Sequence, residues 1–251
     1  MNCDFTIRGL MMDDQEKEEI LSAAQKFFRE RLAENHLKNT EKLVTVEKFN
    51  VNPFTWRYLA KFAFGDISPE SLAKALIYPR VLGTSIATSF GTMLQYFSVD
   101  VLKGYASTTQ GIDIEFDDAV DGRHKYCQLK AGPNTINKDD VKTIEDHFKA
   151  VKALARTNGL HVAMDDCIVG VLYGERKQLS THYKNIDEDY PVLVGQVFWE
   201  HLTGDKNFYY ELIDAFASVA DEIDSSQAMR RTIRELAYDI KVREMKKAEG
   251  D

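Results

Sequence analysis

Gly111-Ile112-Asp113-Ile114-Glu115-Phe116, then Asp121-Gly122, then Tyr126-Cys127-Gln128-Leu129-Lys130-Ala131-Gly132, is the stretch that decides the fold class. Apolar and polar residues alternate on both sides of the Asp-Gly pair, the pattern of two half-buried strands. Asp-Gly between such runs signals a tight hairpin, because the turn needs a positive φ that Gly adopts without strain. Strands are therefore predicted over 110–117 and 123–130.

With Asp121-Gly122 as a two-residue loop, Asp113 faces Lys130 and Glu115 faces Gln128. Side chains alternate along a strand, so Asp113, Glu115, Gln128 and Lys130 share one face. Ile112, Ile114, Phe116, Cys127, Leu129 and Ala131 share the other, which is apolar and is expected to pack on a helix. A slip of one residue would bury the charges, so the pattern fixes the register. A longer loop would change the direct pairing and keep the common face.

Outward from the hairpin the chain is mostly helical. Residues 13–38 read as one amphipathic helix, with Ile20, Ala23, Ala24, Phe27, Phe28, Arg31 and Leu32 at helical spacing and Asp13 and Asp14 at its start. Asn52-Pro53 and Ser68-Pro69 each set a cap residue before a first-turn proline, which predicts helices over 53–63 and 69–78. A helix over 87–103 is expected to bury Phe90, Met93, Leu94 and Phe97, with Gly104 as its stop. After the hairpin come a helix over 137–156, a buried strand over 167–174, a strand over 190–194, and helices over 195–203, 206–222 and 226–247. No repeat or linker interrupts the chain. The expected architecture is α/β: a mixed sheet flanked by helices, as one domain over 1–251, with a helical N-terminal part (1–80), a core (87–200) and a helical C-terminal part (201–251).

Composition narrows the function. The chain has 251 residues, 44% hydrophobic and 29% charged, ordinary for a globular protein with a sizeable core. No apolar run reaches membrane-spanning length, and no basic-then-apolar leader opens the chain, so a cytoplasmic protein is expected. Cys3, Cys127 and Cys167 have no metal-ligand spacing, and the last two read as small core residues in a reducing compartment. The net charge of −8 excludes a protein that coats nucleic acid indiscriminately. Local charge differs: residues 111–121 hold five acids and no base, while 123–156 hold eight Lys or Arg against four acids. An acidic pocket beside a basic segment suits a metal ion between protein and phosphate.

The residue types on the shared face have a common chemistry. Mg²⁺ takes hard oxygen ligands and keeps several waters. Asp113 offers a carboxylate, and Gln128 an amide oxygen, a weaker neutral ligand. Glu115 offers a second negative charge directly or through water, and the Leu129 carbonyl is a further ligand. Lys130 is placed to stabilise a pentacovalent phosphate or to orient the attacking water. A bland account competes: a carboxylate opposite a lysine on a sheet is often a cross-strand ion pair worth about 1 kcal/mol or less. The apolar flanks, and a loop over 131–135 that enters a helix N-terminus suited to phosphate, favour the metal site.

These residues resemble the PD-(D/E)xK nuclease superfamily in an Asp…Gln-x-Lys form. More narrowly, the chain resembles type II restriction endonucleases that cut interrupted GG…CC sites. The stretches that carry this are Asn52-Pro53-Phe54; Ser89-Phe90-Gly91; Gly111-Ile112-Asp113 with Gln128-Leu129-Lys130-Ala131-Gly132; and Val169-Gly170-Val171-Leu172-Tyr173-Gly174 with Phe198-Trp199-Glu200-His201-Leu202. The resemblance implies a restriction-endonuclease-like core and Mg²⁺-dependent hydrolysis of both strands of double-stranded DNA, with Mn²⁺ able to substitute. It further implies a homodimer reading a palindromic site, and a cognate methyltransferase as genetic partner. Asp113 and Lys130 take the metal-ligand and catalytic-lysine positions. Gln128 stands where an acid is usual. A further core strand is expected from the resemblance, with residues 83–87 or 104–109 as its sources.

Other polar groups are candidates for DNA contact. Asn134, Thr135, Asn137, Lys138 and Lys142 are suited to phosphate or base edges; equally, they form a helix cap and a solvated face. Arg176 and Lys177, with Gln178, Ser180, Thr181 and His182, form a polar loop after a central strand, able to reach a major groove or to be plain surface. His36, His124, His147, His161, His182 and His201 lack zinc-ligand spacing and read as core or surface residues, with His124 facing solvent. Phe198 and Trp199 read as core. The run Arg230, Arg231, Arg234, Lys246 and Lys247 reads as a solvated helix face. Two further functions share these features: a repair or structure-specific nuclease, and a catalytically silent DNA-binding module.

Overall fold

A computed structural model of the chain describes residues 12–102, 105–223 and 225–249. Cys3, Lys103 and Gly104 lie outside the described residues, as do the side chains of Leu94 and Lys247. The chain divides into two compact units. One comprises the chain up to Phe27 together with Met93–Phe216, and the other comprises Phe28–Thr92 together with the chain from Ala217 onward.

The first unit holds a four-stranded mixed sheet: β1 (Ile114–Asp117), β2 (His124–Lys130), β3 (Cys167–Val171) and β4 (Val192–Val194), adjacent in that order. β1 and β2 are antiparallel, and β2, β3 and β4 run parallel. Parallel neighbours need crossovers. A long helix over Lys138–Thr157 joins β2 to β3, and a short one over Thr181–Ile186 joins β3 to β4. β3 is buried along its whole length and reads Cys-Ile-Val-Gly-Val, the continuous apolar run of a strand covered on both sides.

One cover is a cluster of Ile144, Phe148 and Val151 from the long crossover helix, and Tyr183 and Ile186 from the short one, against Val169, Val171, Val192 and Val194. The other is aromatic. Phe198 and Trp199, on a helix over Gln196–Thr203, are wholly buried, as the sequence implied for them. Trp199 packs against Phe97 and Phe208, and Phe97 against Phe27. The Trp199 indole N–H donates to the Leu172 carbonyl at 2.9 Å, so its one polar atom is satisfied inside the core. Gly170 makes this layer possible: a Cβ there would run into the Phe198 ring and the Cys127 sulfur. Burial pushes the Cys167 thiol up to about 12 and the Cys127 thiol well above its ordinary value, so both are inert core residues.

The second unit is helical. Its helices over Pro53–Phe64 and Pro69–Pro79 begin as the sequence implies. Asn52 accepts the Phe54 N–H at 3.0 Å, and Ser68 accepts the Ser71 N–H at 3.3 Å, each ahead of a first-turn proline. Leu72, Ala73 and Ile77 pack with Ala60 and with Ile233, Leu236 and Ile240 of the C-terminal helix, Ser225–Glu249.

Several expected boundaries change. The helix predicted over 13–38 is an α-helix over Asp14–Phe27, a π-helical turn over Phe28–Ala33 and a second α-helix over Glu34–Thr40. The helix predicted over 87–103 runs Ile86–Asp100 and follows a π-helical turn over Arg80–Ser85. Pro79, which has no N–H to donate, directly precedes that turn, where the i−4 ladder is broken. Phe97 is buried, while Phe90 and Met93 are only partly so. The sought extra strand is absent from both places: residues 83–87 are helical, and the 105–109 segment contributes a single bridge, Ala106 to Ile114.

Candidate active site

The hairpin turn is longer than two residues. β1 ends at Asp117 and β2 begins at His124. The Asp118 N–H donates to the Arg123 carbonyl at 2.9 Å, and the Gly122 N–H to the Asp118 carbonyl at 2.8 Å, with Gly122 at φ 72°. The Asp118 carboxylate reshapes the turn by accepting the Val120 N–H at 2.8 Å. As a result Glu115 pairs with Tyr126 instead of Gln128, and the expected pairing of Asp113 with Lys130 moves by two residues. A shift of two preserves faces, so Glu115, Gln128 and Lys130 stay on one side of the sheet.

Asp113 lies just ahead of β1, tied to the residues on both sides of Gln128. Its N–H donates to the Cys127 carbonyl at 3.0 Å, and its carboxylate accepts the Leu129 N–H at 2.7 Å. A residue in a strand directs its N–H and C=O to the same edge, so the Leu129 carbonyl also points to this side of β2. Asp113 keeps an exposed surface, yet its carboxyl group is set back among protein atoms. That desolvation pushes its pKa up, and neither the Leu129 N–H nor the Lys130 charge offsets it.

The other groups differ in how far they are committed. Lys130 is half-buried and forms no ion pair among the described residues. Gln128 is buried, and its amide nitrogen is 3.2 Å from Nδ1 of His147 on the long crossover helix. Glu115 accepts from the Ser107 hydroxyl, from Thr109 Oγ1 at 2.8 Å, and meets His124 Nε2 at 3.3 Å. Burial works against its ionisation, but these partners outweigh that and lower its pKa. Ile112, expected on the outer apolar face, joins the cluster of the crossover helices instead, because the chain leaves strand geometry before Ile114.

Around this centre the DNA-contact candidates separate into two kinds. Asn137 caps the crossover helix, accepting the Asp139 and Asp140 N–H groups at 2.8 and 3.1 Å. Thr135 donates to the Gly132 carbonyl at 2.8 Å and meets the Tyr183 hydroxyl at 3.1 Å. Arg176 pairs with Asp187, and Lys177 with Glu175 at 2.6 Å. Asn134, Lys138 and Lys142 are exposed, and the two lysines form no ion pair among the described residues. Sequence reasoning passed over His147, Ser107 and Thr109 as parts of the site. His147 had a signal: it lies on the inner stripe of its helix, three residues after Ile144 and four before Val151.

These groups stand on a mixed sheet between helical layers. The family model described as Type II restriction endonuclease EcoO109I matches residues 20–224. The chain belongs to this family of type II restriction endonucleases. It is a site-specific deoxyribonuclease, a hydrolase that binds and cuts DNA. No curated protein matches the chain. No helix among the described residues is long and apolar enough to cross a membrane.

Type II restriction endonucleases generally use Mg²⁺. Among the described residues no three His, Cys, Asp or Glu side chains gather as a metal-holding group. The oxygens that Asp113, Gln128 and the Leu129 backbone offer are one carboxylate, one amide oxygen and one carbonyl, all hard donors of the kind Mg²⁺ takes. Burial raises the pKa of the Asp113 carboxyl despite the nearby Lys130 charge, and a cation would add to that charge. The residues fit the ion.

Proposed function

We propose that Asp113, Gln128 and the Leu129 carbonyl hold a Mg²⁺ ion, replaceable by Mn²⁺, and that Lys130 is the catalytic lysine of a type II restriction endonuclease. When bound, the ion supplies positive charge beside the phosphodiester. Asp113 fixes the site to β2 through the Leu129 N–H. Lys130, with no carboxylate partner among the described residues, directs its ammonium at the non-bridging oxygens or at the attacking water, where charge develops. In-line displacement then leaves 5′-phosphate and 3′-hydroxyl ends. Glu115, engaged by Ser107, Thr109 and His124, adds negative charge through water and not as a direct ligand. Asn134, Lys138 and Lys142 carry the phosphate contacts; Thr135 and Asn137 shape the loop and helix start beneath them.

The observation that carries this proposal is the desolvated Asp113 carboxyl, held by the Leu129 N–H at 2.7 Å, under the charge of Lys130, which forms no ion pair among the described residues. The enzyme works as a homodimer on a palindromic site in the cytoplasm, with a methyltransferase protecting the host's own copies of that site.

Digestion of a plasmid of known sequence with Mg²⁺ tests the proposal. Discrete bands are expected from the native protein, and none from Lys130→Ala. A native protein that cuts nothing, or a Lys130→Ala variant that cuts at full rate, overturns it. Light scattering at micromolar concentration should give twice the chain mass of 28.7 kDa.

A further inference from the structure

We propose that His147 is a positioning residue that fixes which end of the Gln128 amide is turned to the metal site. The task exists only because this chain carries an amide there; a carboxylate would offer two equal oxygens. The inference rests on the site assignment above.

The amide nitrogen of Gln128 lies 3.2 Å from Nδ1 of His147. With the amide nitrogen set toward it, Nδ1 is the accepting partner of this contact, the role it has in the tautomer that carries its proton on Nε2. Turned over, the amide would set its oxygen against the Nδ1 lone pair and point its NH₂ hydrogens toward a cation. Gln128 is only 4% exposed, so water cannot take over the role of the ring in sorting the two ends. A ring in that tautomer holds the nitrogen end inward and leaves the oxygen as the free end.

The ring is itself held from two sides. Its helix carries it on the inner stripe, next to the buried Phe148. Gly111, at φ 79°, brings its backbone so close that a Cβ there would collide with Cγ, Cδ2 and Nδ1 of the imidazole. A side chain at 111 would displace the ring, so this glycine serves both the turn and the approach.

Mn²⁺ binding to the full-length protein, measured by calorimetry without DNA, tests this. His147→Ala should weaken binding about tenfold or more. His147→Asn, whose amide can meet Gln128 with either its oxygen or its NH₂, should restore only part of it. In a Gln128→Glu background, His147→Ala should change Mn²⁺ affinity by less than about twofold, because a carboxylate has no wrong end. Equal weakening in both backgrounds means that His147 only packs, and overturns the proposal, as does no weakening in the Gln128 protein. Asp113→Ala separates this from failure of the site itself: if it leaves Mn²⁺ binding intact, the site assignment falls and the role of His147 falls with it. Thermal melts without metal confirm that each variant is folded.

Discussion

Leu129 donates its backbone N–H to the Asp113 carboxylate at 2.7 Å, while the Asp113 carbonyl accepts the Ser107 N–H at 3.1 Å. A side chain thus occupies a place beside β2 where a neighbouring strand would otherwise present a carbonyl. The carboxylate is immobilised by the hydrogen bond that sets its position, and it is partly stripped of water in the process.

That desolvation has a pH signature. A carboxyl with a raised folded-state pKa binds its proton more tightly in the native protein than in the unfolded chain. Metal-free protein is therefore favoured at pH below the unfolded value, and this advantage is lost as pH rises through the folded pKa. Asp113→Asn, which keeps an acceptor for Leu129 and carries no charge, should melt at or above the native temperature at neutral pH. The difference should vanish on acidification, and the variant should cut no DNA. Thermal melts from acid to neutral pH check both the sign and the convergence.

The exposed lysines of the crossover helix should act through phosphate alone. Replacing Lys138 and Lys142 together with Gln removes two cations that no carboxylate partners among the described residues. The slope of log Kobs against log salt should become shallower by about 1.8, with little change in sequence preference. Replacing Arg176 and Lys177, which already pair with Asp187 and Glu175, should change the slope by less. Filter binding at a series of NaCl concentrations distinguishes the two pairs.

Behind the hairpin turn lies a buried charge cluster. Lys125 and Asp118 are 3% and 0% exposed; Lys125 bonds to Asp121 at 2.5 Å, and Asp118 to His201 Nδ1 at 2.7 Å. Burial opposes ionisation of Asp118, but the bonds from His201 and the Val120 N–H outweigh it and depress its pKa. Its contribution is present above the unfolded pKa and is lost as pH falls through the folded one. Lys125→Met removes the ammonium 3.8 Å from the buried Asp118 carboxylate, which keeps its bonds to His201 and the Val120 N–H, and should cost about 1–3 kcal/mol in urea unfolding.

Gly170→Ala probes the aromatic layer. The new methyl group must enter space held by Phe198 and the Cys127 sulfur, in a strand with no exposed residue. A loss of about 1–3 kcal/mol is expected, from overpacking alone. A loss below about 0.5 kcal/mol would show that this layer is looser than its packing indicates.

Much of this protein is legible along the chain. The caps at Asn52 and Ser68, the alternation through 114–117 and 124–130, the apolar run at 167–171 and the buried pair Phe198 and Trp199 all follow from local periodicity and turn chemistry. The candidate set of Asp113, Gln128 and Lys130 came from residue type and spacing. Neighbouring residues set the caps, the strands and the buried aromatic pair, so the sequence by itself determined them. Tertiary structure decided what depends on distant partners. The Asp118 carboxylate lengthened the turn and moved the register by two, because it is locked to His201, 83 residues away. Ser107 and Thr109 claimed Glu115. His147 reached Gln128 only once its helix had crossed the sheet, an encounter no periodicity encodes, since a side chain's hydrogen-bond partner is fixed by packing between elements and not by its position along one of them.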